Sequence, residues 1–157
     1  MEGNALKHMK GHHPGTVWHK SDLQCHSPRD PSWRGGPSGL PGGTEESEDA
    51  RRSWSRSFLN ECDNRDLSVV AITDHHDFRM AEYTAVEAQI HGKIGVFRGI
   101  EVTCQDNVQC LAIFEPACES NVLSKFLGML TGIMDAPANA SSAAPTVPCR
   151  MSMVDLY

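Results

Sequence analysis

Three short segments of this chain carry residues that could do chemistry. In TVWHKSDLQCH, Thr16–His26, the residues Asp22, Gln24 and His26 recur at every second position, the spacing that puts side chains on one face of a strand. In VVAITDHH, Val69–His76, an apolar run ends in Asp74, His75 and His76. In IGVFRGIEVT, Ile94–Thr103, Glu101 follows Gly99 by two residues, and a glycine there permits close backbone approach or a bulge that aims the carboxylate inward. Imidazoles and carboxylates are ligands for Zn, Mn or Fe, and they are also the groups that move protons. A surface strand can end in such residues by chance. Three strands ending so are poorly explained by chance or by core packing.

The elements that must position these groups follow from the hydrophobic pattern. Continuous apolar runs such as Val69–Ile72 read as parallel strands covered on both faces. In sheets of that kind, chemistry collects at the C-terminal ends of the strands. Trp54, Phe58, Leu59 and Cys62 fall at helical spacing and predict a helix over Ser53–Asn64. Phe78–His91 is rich in helix formers, with Gly92 just past it as a C-cap. Ser120 is expected to cap a third helix whose Val122, Leu123, Phe126, Leu127 and Leu130 form one apolar stripe. The order strand, helix, strand, helix, strand, strand, helix is α/β. The stripes are core, and none reads as a cofactor box.

Composition sets the boundaries and the compartment. Residues 1–15 are polar and contain His8, His12 and His13, which could bind metal adventitiously or belong to a disordered His-rich tail. They hold no apolar segment for a signal or a membrane anchor, so no membrane partner is expected. The folded domain is expected over 16–134, interrupted by a Gly-, Pro- and Ser-rich surface loop at 35–52, with 135–157 as a disordered or divergent tail. Six cysteines without a Cys-x-x-Cys pair read as core thiols in a reducing, cytoplasmic setting. Cys104 and Cys110 flank a turn and would pair only under oxidising conditions, and Cys25 should face away from Gln24 and His26. The net charge is −6, and the only basic group is Arg51, Arg52 and Arg56, which gives no electrostatic basis for nucleic-acid binding.

At its chemistry-bearing residues the chain resembles the PHP (polymerase and histidinol phosphatase) metal-dependent phosphoesterases. Asp22-Leu23-Gln24-Cys25-His26 stands where that family has Asp-Leu-His-x-His, Ala71-Ile72-Thr73-Asp74-His75 matches Ala-Ile-Thr-Asp-His, and Gly99-Ile100-Glu101-Val102-Thr103 matches Gly-x-Glu-Val-Thr. His26-Ser27-Pro28 and Leu111-Ala112-Ile113-Phe114 bring it nearest to PHP domains fused to ATPase modules. The resemblance covers roughly residues 16–130. It implies the N-terminal part of a distorted (β/α)7 barrel, incomplete, because barrels of this kind need about 200 residues or more. It also implies divalent metal ions (Zn, Mn or Fe) that activate water and neutralise phosphate charge. By the same resemblance His26, His75, Glu101 and Asp30 are metal ligands, Asp74 and His76 take catalytic or ligand-orienting roles, the substrate is a phosphate ester, and an ATPase is a partner. For His76 a solvent-facing loop position is the bland alternative, and for Asp22 a simple strand-end cap.

Two departures bear on activity. Gln24 replaces an imidazole with an amide oxygen, a poor ligand for Zn or Mn, and weakens one metal position. The family's later His and Asp-x-His ligands are missing, since no histidine follows His91. Three functions compete: a phosphoesterase of reduced or no activity, a non-catalytic PHP-derived interaction module or remnant, and an unrelated small α/β protein holding one structural or adventitious metal.

Overall fold

The computed structural model describes residues 18–30, 33, 47–130 and 148–156. The expected tail at 1–15, most of the expected loop at 35–52 and the Ala- and Pro-rich segment before Pro148 lie outside them. The described chain runs β1 (Ser21–Cys25), α1 (Glu48–Asn64), β2 (Val69–Ile72), α2 (Arg79–His91), β3 (Gly95–Thr103), β4 (Gln109–Phe114), α3 (Ser120–Met129) and a single turn, α4 (Met153–Leu156). The four strands form one mixed sheet, curled as half of a barrel, in the order β1-β2-β3-β4. β1, β2 and β3 are parallel, and β4 returns antiparallel to β3 with Glu101 opposite Leu111. The α/β class and the order of elements are those expected.

Apolar burial decides which face the helices cover. Val70, Ile72, Val96, Ile100 and Val102 point to one side of the sheet, where Leu59, Cys62, Met80, Ala81 and Ala88 of α1 and α2 and Leu123 and Leu130 from the α3 region are also buried. Each such aliphatic side chain contributes roughly 1.5–3 kcal/mol, so this face fixes the packing. The other face is the inner side of the curl, and carries Thr73, Gly99, Glu101, Leu111 and Ile113. There Leu111 and Ile113 remain 41% and 39% exposed, so β4 presents apolar surface to solvent beside the buried Glu101. Gly99 is required on this face. A Cβ there would lie 2.7 Å from Thr73 Cγ2 and 3.1 Å from the Ala112 carbonyl oxygen.

Several boundaries differ from expectation for local reasons. α1 begins at Glu48, not Ser53, because the Ser47 hydroxyl accepts from Ala50 N–H at 3.1 Å and Glu48 and Asp49 occupy the first turn; residues 48–52 are therefore helix rather than loop. Ser120 is not a cap but the first residue of α3, preceded by Glu119. β1 is shorter than the expected strand over Thr16–His26 and carries an irregularity between Asp22 and Cys25. Gly92 does close α2, in the left-handed region at φ 77°. Within the segment expected as a disordered or divergent tail, residues 148–156 are held against the sheet. Cys149 N–H donates to Thr103 O at 2.8 Å, Gln105 N–H to Met151 O at 3.0 Å, and Cys149 is buried with Leu130, Ile100 and Val102. All described cysteines are free thiols, and Cys25 packs toward α1, away from Gln24 and His26.

Candidate metal centre

The strand ends bring the site together through the backbone. Thr73 N–H donates to Cys25 O at 2.8 Å, continuing the β1–β2 ladder past its last pair. Glu101 N–H donates to Asp74 O and His76 N–H to Glu101 O, both at 3.1 Å, which sets His75 beside Glu101 as a parallel bridge. After His26 the chain turns back through Ser27 to Asp30, with Asp30 N–H donating to Ser27 O at 2.9 Å. His26, Asp30, His75 and Glu101, drawn from three strand ends, thereby meet at the C-terminal end of the parallel strands.

The two imidazoles stack, 5.2 Å between centroids and 10° between planes, and lie between two carboxylates. Asp30 Oδ2 is 2.9 Å from His26 Nδ1 and 2.9 Å from His75 Nδ1, and accepts His75 N–H at 2.7 Å. On the far side of the rings Glu101 Oε2 is 3.3 Å from His26 Nε2, and Oε1 is 3.4 Å from His75 Nε2. Asp30 and Glu101 are buried at 1% exposure each. Hydrogen bonding to Asp30 raises both histidine pKa values above the ordinary imidazole value, against a burial effect that lowers them.

Nitrogen and oxygen donors are the right types for Zn, Mn or Fe. His26, Asp30 and His75 form a group that could hold a metal ion, one ligand atom from each lying within 4.8 Å of the others. The two sides of the cluster differ in spacing. Ligands bonded at ~2.05 Å to a tetrahedral ion stand about 3.3 Å apart. Pairwise, His26 Nε2 stands 3.3 Å from Glu101 Oε2 and His75 Nε2 stands 3.4 Å from the other carboxylate oxygen, Oε1. The Nδ1 atoms and Asp30, at 2.9 Å, are spaced as hydrogen bonds. A carboxylate that takes Nδ1–H fixes the tautomer and turns the Nε2 lone pair toward a metal.

Other expected residues fall around this cluster rather than in it. Asp74 is fully buried, with Oδ1 accepting Ser27 N–H and Oδ2 accepting the Ser27 hydroxyl, each at 2.6 Å. Burial pushes its carboxyl up to about 7, and the Ser27 bonds oppose that rise. Asp74 therefore anchors, through Ser27, the loop that carries His26 and Asp30. His76 sits at φ 51°, which swings its ring away from His75, and its Nε2 accepts Thr103 N–H at 2.9 Å. Burial, with His75 beside it, lowers its pKa to about 4, consistent with a half-buried turn residue whose ring accepts from the β3 backbone. Gln24 shares the inner face with His26, as its spacing predicts, and its amide donates to Glu101 Oε2 at 3.0 Å. Asp22 is exposed, lies within β1 and accepts from Gln24 N–H.

Two contacts were not legible in the sequence. Ser27 belongs to the His-Ser-Pro segment, yet its bond to Asp74 joins residues 47 apart. Gln109 opens β4, and its amide lies 3.0 Å from His75 Nε2, a meeting set by hairpin register that nothing in the local sequence marks. Arg29 joins the same two loops from outside, with Nε and Nη2 each 2.7 Å from Asp77 Oδ2. No family model and no curated protein matches the chain.

Proposed function

We propose that the strand ends form a divalent-metal centre for hydrolysis of phosphate esters, of the PHP type that the three motifs resemble. The observation that supports it most is the convergence, within 2.9–3.4 Å, of two imidazoles and the Glu101 carboxylate from the three motif segments with the buried carboxylate of Asp30, from the loop after the first. His26, His75 and Glu101 would hold the ion through Nε2 and carboxylate oxygens, and Asp30 would orient both imidazoles through Nδ1. Such an ion lowers the pKa of water and neutralises phosphate charge. Asp74 and Ser27 fix the loop, and His76 ties the site to β3.

Gln24 favours a second reading, a PHP-derived module without the reaction, because its amide donates to the Glu101 oxygen that a metal would take. One experiment separates them: metal content of the purified protein, with hydrolysis of p-nitrophenyl phosphate and its diester under added Zn or Mn. The phosphoesterase reading expects up to one weakly held ion per chain and turnover that disappears in His75→Ala. Metal binding without turnover favours the non-catalytic module, and absence of metal binding refutes the centre itself. Two or three tightly held ions would refute its incompleteness.

A further inference from the structure

The rim of the cluster holds two amides in positions that a structural account of the site does not require. Asp30 is an acceptor only, so the Nδ1 atom of His75 carries the proton between them when the ring is neutral. His75 Nε2 then offers a lone pair alone, and the amide of Gln109, 3.0 Å away, must donate to it. On the other side of the cluster the Gln24 amide donates to Glu101 Oε2 at 3.0 Å. These are two of the donor atoms with metal-ligand spacing, and each is already satisfied by an N–H of the same chain. Both glutamines are exposed residues, so either amide can leave its partner for water without opening the core.

We propose that Gln109, with Gln24, is an internal competitor for the metal position: its amide proton occupies the His75 lone pair until a divalent ion displaces it. The proposal rests on the metal-centre reading and concerns the regulation of that same site. It predicts an uncommon sign, because shortening a polar residue that touches a ligand should tighten metal binding. Gln109 also marks a dependence on hairpin register. It stands opposite Thr103, whose N–H holds His76, and the turn between them contains Asn107 at φ 59°.

The test measures Zn and Mn dissociation constants by competition with a chromophoric chelator. It uses the full chain, wild type, and the variants Gln109→Ala, Gln109→Thr and Gln24→Ala, with circular dichroism as a fold check. Threonine keeps the strand preference at position 109 but is too short to reach His75. Each single variant is expected to bind roughly 2- to 10-fold more tightly, the worth of one net hydrogen bond, and the double Gln24→Ala/Gln109→Ala variant by about the product. In the metal-free protein the His75 Nε2 nitrogen resonance should move toward that of an unbonded imidazole in both position-109 variants. Unchanged or weaker binding in Gln109→Ala and Gln109→Thr, with wild-type protein binding metal normally, overturns this inference alone. A wild-type chain that binds neither metal overturns it together with the metal centre.

Discussion

Replacing Asp30 with asparagine tests the cluster most directly. Asp30 Oδ2 receives three contacts, from His26 Nδ1, His75 Nδ1 and His75 N–H, at 2.9, 2.9 and 2.7 Å. Hydrogen bonds to a charged acceptor contribute about 1.5–3 kcal/mol each and neutral ones about 0.5–1.5. Asp30→Asn keeps an oxygen but removes the charge, so each contact loses about 1 kcal/mol. The easier burial of a neutral amide offsets part of that sum. The net expectation is a loss of about 2–3 kcal/mol in metal-free protein. Urea unfolding with linear extrapolation at pH 6 in the presence of chelator measures it, since the raised imidazole pKa values favour the charged rings there. Metal affinity should fall roughly 10–100-fold, as when an orienting partner of a ligand is removed. A stability change below about 0.5 kcal/mol with metal affinity intact would show that Asp30 is a bystander, and the electrostatic account of the site would fail.

Three further outcomes are expected. The pKa values of His26 and His75 are raised in the folded protein by Asp30, so their contribution to metal-free stability is full below the unfolded value of about 6.5 and is lost as pH rises through the raised values; metal affinity should climb over the same window, and parallel rather than opposed trends would contradict the assignment. Gly99→Ala should destabilise by about 1–3 kcal/mol through overpacking, because the new Cβ meets Thr73 Cγ2 and the Ala112 carbonyl; Thr73→Ser should restore part of the loss, and a neutral Gly99→Ala would mean the curl relaxes freely. The exposed inner-face residues Leu111 and Ile113 should drive concentration-dependent association on size exclusion that Ile113→Lys reduces; a monodisperse wild-type monomer with one steep urea transition would show that the inner face is covered.

Much of this arrangement was legible because it is local. The strand-end histidines and carboxylates stand out by their spacing and by the apolar runs that decide the face; the Trp54–Cys62 stripe is read from helical periodicity and Gly92 from its position just past a run of helix formers. What escaped depends on pairing between distant segments. Asp30 is named through the family resemblance and not through any period relating it to His26; it reaches the ring because the chain turns at Ser27. Gln109 enters through hairpin register, and His76 leaves through a left-handed backbone angle that tetrapeptide chemistry does not announce. Composition is silent on how residues 148–156 pack, since a short segment can bury one cysteine and two backbone bonds without any pattern of its own.

The bonds between the His26–Asp30 turn and β2 have a kinetic consequence. Ser27 with Asp74 and Asp30 with His75 join residues 47 and 45 apart, closing the same long loop that β1–β2 pairing must close. The entropy of that closure is lost before any of its contacts form, and non-local parallel pairing is slow for this reason. His75, by contrast, is tied to Glu101 within the compact β2–α2–β3 unit. Folding should therefore proceed with β2, α2 and β3 first and β1 last, leaving half of the cluster unassembled in the rate-limiting state. An ion that needs both halves would then slow unfolding while leaving the folding rate unchanged.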